Sequence, residues 1–131
     1  NANEKYSSSF LSPLRILEVT FDGDLIDAVR ANYILKAYEQ EDLLKLSLDR
    51  EKFITQELSP VFKNFRATGN LWAFDFETTE QRDKFCSRCF DNRLLVNKGG
   101  LASVRMRPNL AVSKDEVEEM LKIVHLVIKG I

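Results

Sequence analysis

The alternation of residues between Asn70 and Phe76 constrains the fold of this chain more than any other feature. Aromatic side chains occupy every second position there, as Trp72, Phe74 and Phe76. Successive side chains of a strand point to opposite faces, so this pattern predicts a strand with one aromatic, buried face. Gly69, immediately before it, marks the turn from which the strand begins. A sheet of this kind must bury its apolar face against another layer, and the flanking sequence supplies helices.

Two helices are predicted before this strand. The first runs from Asp24 to about Glu39, and its apolar residues at helical spacing, with further apolar neighbours, predict a largely buried helix. Asp24 offers a carboxylate as its N-cap. The second helix begins at Asp42 and ends near Ser59, because the residue before a proline disfavours the helical conformation.

Two more helices follow the strand, and each begins with the spacing of a capping box. Thr78 with Gln81 begins the third helix, and Ser113 with Glu116 begins the fourth. Gly130 is a candidate C-cap for the last helix. The residues expected on the buried faces of these two helices are Phe85, Cys86, Cys89 and Phe90, then Val117, Met120, Leu121, Val124, Val127 and Ile128.

Residues Leu94–Val96 and Ala102–Met106 are predicted as two further strands, joined as a hairpin through Gly99 and Gly100. The expected fold is therefore α+β, a small antiparallel three-stranded sheet covered by helices. The serine-rich residues 1–20 are interpreted as an N-terminal arm, and residues 21–131 as one domain.

Composition excludes several classes of function. The chain has 131 residues and a net charge of −1, so no overall positive field would attract nucleic acid or an anionic membrane. No apolar run approaches the roughly 20 residues of a membrane span, and the N-terminus lacks the pattern of a signal peptide. The expected protein is an ordered globular one, with neither a nucleic acid nor a membrane as partner.

Arg105 and Arg107 are the strongest candidates for a functional site. They stand two residues apart in a predicted strand and share one face, just before Pro108. Two guanidiniums repel each other and stay charged at neutral pH, so we expect an anion between or near them. The pattern alone favours a structural carboxylate, for instance Asp75 on a neighbouring strand, and leaves a bound ligand open.

The other chemically active residues have simpler interpretations. Cys86 and Cys89 fall on an apolar helix face and His125 is the only histidine, so core packing is favoured over a redox or zinc site, and no metal is expected. Reduced thiols indicate a reducing compartment, the cytoplasm. His125 is expected at the surface near a helix C-terminus. The alternating aromatics could also stack bases in an RNA-binding sheet, but no basic patch flanks them.

The sequence resembles the C-terminal part of class III aminotransferases, which depend on pyridoxal phosphate. Five segments carry the resemblance, and they are Gly69–Phe76, Arg82–Phe85, Leu94–Val96, Gly99–Gly100 and Val104–Pro108. Within that family the run is most similar to the branch that acts on ω-amino acids, the lysine 6- and 4-aminobutyrate aminotransferases. The resemblance implies transfer of an amino group from such an amino acid to a 2-oxo acid, and a homodimer.

The resemblance also implies roles for individual residues. Arg105 matches the arginine that binds the substrate carboxylate, whereas Arg107 matches a structural position. Thr20, followed by the turn at Gly23, matches the threonine that donates to the cofactor phosphate from the partner subunit. The Schiff-base lysine of this family belongs to a large domain that precedes residue 1, so this chain alone is expected not to transaminate.

A second interpretation stays open, a stand-alone dimerisation or interaction module that has the same fold and no catalysis. Glu18 and Asp22 favour it, because they stand where the family usually has uncharged residues around its phosphate-binding threonine.

Overall fold

The computed structural model describes residues 23–131, and within them the chain forms an α+β fold. It divides into two compact units, residues 1–37 and 38–131. The sheet and three of the described helices belong to the second unit. The helices are α1 Leu25–Gln40, α2 Leu43–Leu58, α3 Thr79–Asp91 and α4 Lys114–Ile128, and the strands are β1 Lys63–Thr68, β2 Leu71–Asp75, β3 Asn97–Gly99 and β4 Ser103–Met106.

Between residues 23 and 131 the sheet has four antiparallel strands in the order β1-β2-β4-β3. The expected α+β fold is confirmed, but the expected number of three strands is wrong, because β1 was not predicted. Strand β1 lies at the edge of the sheet formed by the described residues, where polar residues are tolerated, and among them it pairs only with β2. A bulge between Lys63 and Arg66, with Asn64 at a φ of 50°, interrupts its alternation and conceals it in the sequence.

The third predicted strand is shifted along the chain. Leu94–Val96 was expected to be a strand, but β3 begins only at Asn97. The residues before it end α3 in a Schellman motif, in which the N–H of Leu94 donates to the carbonyl of Cys89 and that of Arg93 to Phe90. Arg93 adopts the left-handed conformation (φ 64°) that a glycine usually takes at this position, so the sequence carried no signal for it. The predicted hairpin to β4 is confirmed.

The core lies between the sheet and the helices of the second unit, and its centre is aromatic. Phe74 on β2 stacks on Phe62 with ring centroids 3.8 Å apart, and Phe85 on α3 meets Phe74 edge-on at 5.6 Å. Trp72 and Phe74 are buried as predicted. Phe90 was expected on the same buried face of α3 but is 68% exposed, so that prediction is wrong.

The helix ends largely follow the predicted caps. Asp24 accepts hydrogen bonds from the backbone of Ile26 and Asp27 at the start of α1. The capping box of Ser113 and Glu116 is complete. The predicted box at Thr78 is only half formed, because its partner glutamine reaches the N–H of residue 77 instead of the N-cap. The last helix ends with Lys129 as its C-cap, not with Gly130 as expected.

Helix α1 differs from its prediction in burial. It was expected to be largely buried, but none of its residues is buried in the part of the chain that the structure describes. Its apolar residues are spread around the helix instead of forming one stripe, which is typical of a helix that a larger protein surrounds. The exposed ones are Leu25, Ile26, Val29, Tyr33, Ile34 and Leu35.

Asp75, the last residue of β2, connects three strands through hydrogen bonds on the uncovered face of the sheet. It accepts from the Ser103 hydroxyl of β4 at 2.7 Å, from Nη1 of Arg66 at 3.1 Å and from Nδ2 of Asn64 at 3.2 Å. These donors favour the ionised carboxylate, so they hold the pKa of Asp75 below its ordinary value, with the Ser103 hydroxyl contributing most.

A buried arginine fastens the β3–β4 hairpin to α3. Arg82 donates from Nε to Asp83 at 2.5 Å, and its Nη1 lies 3.5 Å from the carbonyls of Gly99 and Gly100 in the hairpin turn. Lys98 on β3 reaches the same Asp83 carboxylate at 2.8 Å. This contact fixes the position of β4 relative to the helices.

Replacing Phe74 with alanine should lower the free energy of unfolding by about 3–5 kcal/mol, since it removes the ring at the centre of the aromatic cluster and leaves a cavity. Chemical denaturation monitored by circular dichroism measures this. The matched control is Phe90→Ala, which should change stability by less than about 0.5 kcal/mol because the ring is exposed. Equal effects of the two substitutions would contradict the described core.

The lowered pKa of Asp75 predicts a contribution to stability that depends on pH. The ionised carboxylate is favoured in the folded state, so the contribution is present above the ordinary pKa and lost as the pH falls through the lower folded-state value. Ser103→Ala should raise the pKa of Asp75 measured by NMR titration, and Ser87→Ala, an exposed serine on α3, should leave it unchanged. An Asp75 pKa that ignores Ser103→Ala would refute this assignment.

Candidate functional site

The candidate site lies on the face of the sheet that the core does not use. Along β4, Val104 and Met106 are buried against the helices, and Arg105 between them is exposed. Alternation along the strand therefore places the Arg105 guanidinium on the opposite, open face. Arg107 follows two residues later and is also exposed.

The strand register aligns a second arginine with Arg105. Arg66 of β1 is opposite Ala73 of β2, and Ala73 is opposite Arg105 of β4, so the three form one row across the open face. Two strand spacings separate the backbones of Arg66 and Arg105, about 10 Å. The small side chain of Ala73 leaves the space between them open.

Arg66, Arg105 and Arg107, which we call the arginine face, line one concavity of about 510 Å³. Five further residues line it, namely Ala67, Thr68, Leu71, Trp72 and Ala73, and no carboxylate of residues 23–131 does. A concavity lined by positive charge, with apolar walls beside it, attracts and holds a small anion.

Arg105 forms no hydrogen bond or ion pair with any residue between 23 and 131. The structural partner that the pattern favoured, Asp75, is instead held by Ser103, Arg66 and Asn64, so the prediction of an Asp75–Arg105 pair is wrong. The guanidinium keeps its planar set of donors available, and that geometry matches the two oxygens of a carboxylate.

Sequence reasoning missed Arg66. The register that places it opposite Ala73 depends on β1, and β1 was not recognised because of its bulge and polar composition. The one sequence pattern that indicates this strand is the alternation of the polar residues Arg66 and Thr68 with Phe65 and Ala67, which is compatible with an edge strand.

The other site residue expected from the sequence is the threonine at position 20. Thr20, expected to donate to a cofactor phosphate, lies outside the described residues, as do Glu18 and Asp22. Its role stays a prediction.

The described residues do not fit a covalently attached cofactor. A lysine that forms an imine needs a lowered pKa, which enclosure provides, and each of the nine lysines in the described range is exposed. They are Lys36, Lys45, Lys52, Lys63, Lys84, Lys98, Lys114, Lys122 and Lys129. The arginine face accordingly presents three positive charges and, among the described residues, no lysine for attachment.

The cysteines and the histidine follow their simpler interpretations. Cys86 and Cys89 are free and buried, and burial raises the pKa of both thiols, that of Cys89 to about 12. His125 lies in the last turn of α4, partly exposed. Within residues 23–131 no group of three or more His, Cys, Asp or Glu side chains could hold a metal ion, and no helix is long and apolar enough to span a membrane.

Comparisons with known proteins agree with this fold. A family model described as aminotransferase class-III matches residues 6–128. The L-lysine-epsilon aminotransferase of Mycobacterium tuberculosis is 31% identical over 123 residues, which are 88% of this chain and 27% of that protein. The 4-aminobutyrate aminotransferase of Schizosaccharomyces pombe is 29% identical over 112 residues, 79% of this chain and 24% of that protein. The chain therefore spans about a quarter of the length of these relatives.

Among solved structures, the lysine aminotransferase from M. tuberculosis superposes with a TM-score of 0.83 and 28% sequence identity. The match covers 99% of this chain and 32% of that one. The extent of the family match, together with the fold, identifies the chain as a member of the class III aminotransferases.

Proposed function

We propose that this chain is the C-terminal domain of a pyridoxal-phosphate-dependent aminotransferase that moves an amino group from an ω-amino acid, such as lysine or 4-aminobutyrate, to a 2-oxo acid. The arm of residues 1–20 and the domain of residues 21–131 are its parts. Arg105 binds the carboxylate of the substrate. The observation that carries this proposal concerns residues 23–131, among which the Arg105 guanidinium has no partner and no carboxylate lines its concavity.

The energetics favour a substrate role over a structural one. An arginine that neutralised an internal charge would be paired, and Arg105 has no such partner among the described residues. Arg107 stands beside it with the same charge, which raises the local positive potential and the affinity for an anion. A carboxylate that bridges to Arg105 through two parallel bonds gains roughly 1.5–3 kcal/mol from each.

The cofactor belongs to this proposal through the family. Class III relatives imply pyridoxal phosphate, which supplies the electron sink for the reaction. The described residues do not fit its attachment, so we assign the lysine to a large domain that this chain does not contain. Thr20 remains the proposed donor to the cofactor phosphate, contributed to the partner subunit of a homodimer.

The exposed apolar residues of helix α1 support the proposal that this chain is part of a larger protein. These residues surround the helix, and none of them is buried in the described part. Exposure of so much apolar surface is unfavourable in water, so we assign its cover to the large domain or to the second subunit. The two free thiols are consistent with a cytoplasmic protein.

The alternative function is a stand-alone dimerisation or interaction module without catalysis. An interface with a partner protein would equally account for the exposed apolar residues of α1. Glu18 and Asp22 flank Thr20 in the sequence, and their negative charges are unfavourable next to a phosphate. The encoding gene separates the two: an open frame upstream with a lysine-bearing domain supports the enzyme, and a start codon at this chain supports the module.

Arg105→Ala in the protein with its large domain should raise KM for the amino acid and lower kcat/KM more than a hundredfold. This corresponds to a loss of about 3 kcal/mol of transition-state stabilisation. Arg105→Lys should recover only part of this, because a lysine keeps the charge but lacks the planar pair of donors. Arg107→Ala is the comparison and should have a smaller effect on KM. Unchanged kinetics for Arg105→Ala would remove Arg105 from the site.

Pyridoxal phosphate added to the 131-residue chain alone should give no absorbance band of a lysine-bound cofactor, and no transamination should follow. The reason is that the lysines in the described range are exposed and none has the enclosure that imine formation requires. Spectrophotometric titration, with borohydride reduction and mass spectrometry, tests this. A stoichiometric adduct on one lysine would contradict the assignment of that lysine to another domain.

A further inference from the structure

We propose that Asn70 is a positioning residue for Arg105: its buried side-chain amide fixes the segment that follows β4 and thereby orients the guanidinium for a carboxylate. This inference rests on the proposed function, because it takes Arg105 as the group that binds the substrate. Asn70 is only 5% exposed and does not line the concavity of the arginine face, so it acts through the backbone and not by contact with the ligand.

Arg105 lies where the pairing of β4 comes to its end. It is opposite Ala73 of β2 and Asn97 of β3, and within residues 23–131 it is the last residue of β4 with a partner on both sides. Met106 is paired only with Trp72, and the strand then ends. The end of a strand frays unless other contacts hold it, so a precise placement of Arg105 requires an anchor just beyond it.

Asn70 supplies this anchor at the point where a proline interrupts the ladder. The register of β2 and β4, continued by two residues, places Asn70 beside Pro108, which has no N–H to donate. The side chain of Asn70 donates instead, from Nδ2 to the backbone carbonyl of Asn109 at 2.8 Å. This hydrogen bond therefore holds the chain against β2 beyond the last backbone pair of β4.

Helix α2 holds the amide of Asn70 in this orientation. Ser47 donates from Oγ to Oδ1 of Asn70 at 3.3 Å, which leaves Nδ2 directed at Asn109. The approach of Ser47 requires a glycine at position 69, because a Cβ on Gly69 would lie 2.5 Å from the serine Oγ. Glu51, one helical turn after Ser47, accepts a hydrogen bond from the N–H of Gly69 at 2.6 Å. Both bonds come from one face of the helix, so the amide is fixed before any substrate binds.

Arg50 provides a second contact to the same segment. It lies on the same turn of α2 and donates from Nη1 to the backbone carbonyl of Leu110 at 2.7 Å. Side chains therefore bind two consecutive carbonyls after Pro108, those of Asn109 and Leu110. With the strand end fixed in this way, Arg105 loses less conformational freedom when it binds a carboxylate, which favours affinity.

A purely structural role is the competing explanation for Asn70. Buried, hydrogen-bonded amides contribute to stability in many proteins, and such a role would leave substrate affinity unchanged in the folded protein. The location of the bond favours the positioning role. It joins two loops at the ends of β2 and β4, and the residues on either side of the Gly69–Asn70 turn, Thr68 and Leu71, line the same concavity as Arg105.

The test is steady-state kinetics of the protein with its large domain, with lysine or 4-aminobutyrate as amino donor, on variants that circular dichroism shows to be folded. Asn70→Ala should raise KM for the amino acid about fivefold, the effect of one lost hydrogen bond, and leave kcat within about twofold. In an Arg105→Ala background the same substitution should raise KM no further, because the group that it positions is gone. A merely structural residue would not show this dependence on Arg105.

The matched control is Thr79→Val. The Thr79 hydroxyl donates to the carbonyl of Leu101 at 3.0 Å, so this variant also removes one side-chain bond to a loop carbonyl, but at the opposite end of β4. Its KM should equal that of the wild type. Arg50→Met covers a failure of Asn70→Ala to fold: it should raise KM in the same way, whereas Arg50→Lys keeps a donor and should restore it. An unchanged KM in the folded Asn70 and Arg50 variants, an equal rise in Thr79→Val, or a full effect of Asn70→Ala without Arg105 would overturn the proposal.

Binding of butyrate separates this inference from the proposed function. Isothermal titration calorimetry of the protein that the gene encodes measures the affinity for this monocarboxylate, which has no amino group to transfer. Absence of transamination, with butyrate binding that Arg105→Met removes and Asn70→Ala weakens about fivefold, contradicts the proposed function alone. Transamination by the wild type, with the same KM in Asn70→Ala and Arg50→Met, contradicts this inference alone.

Discussion

The two-residue alternation of β2 and β4 is the constraint on which the rest of the structure depends. Burial of Trp72, Phe74, Val104 and Met106 against the helices supplies the main favourable free energy of the fold. The same alternation determines on which face Arg105 lies, because a strand that buries its even-numbered residues against the helices must place the odd-numbered ones on the opposite face. The hydrophobic core and the candidate site lie on opposite faces of one sheet. The packing of the core therefore fixes the position of Arg105 on the other face.

The open face is organised by its charges. The carboxylate of Asp75 lies on the same face as Arg66 and Arg105. It accepts three hydrogen bonds from residues of the neighbouring strands. This arrangement ties Arg66 in place and leaves Arg105 without a partner in the described part of the chain. An unpaired arginine costs little while water solvates it. When an anion replaces that water, the guanidinium supplies a strong contact, which is why the arrangement suits a site that binds and releases acids.

The elements with strong local signals could be predicted from the sequence. Alternating aromatics identified β2, the Ser113–Glu116 capping box identified α4, and the predicted caps placed the starts of α1 and α3 within a residue or two. Features that depend on the surroundings could not be predicted. Arg93 ends α3 in a left-handed conformation for which the sequence gives no signal, and β1 is a polar edge strand. Helix α1 has no buried residue in the described part of the chain, although its apolar residues predicted burial. Arg105 was identified as a candidate from the sequence, whereas Arg66 required the register of β1.

The most direct measurement of the proposed role of Arg105 is a crystal structure of the protein, together with the large domain proposed for it, bound to an acid substrate or to an unreactive carboxylate analogue. If Arg105 binds the substrate, two nitrogen–oxygen distances of about 2.7–2.9 Å should join its guanidinium to one carboxylate of the ligand. An Arg105 side chain paired with an aspartate or glutamate of the protein, with the ligand carboxylate bound elsewhere, would contradict it.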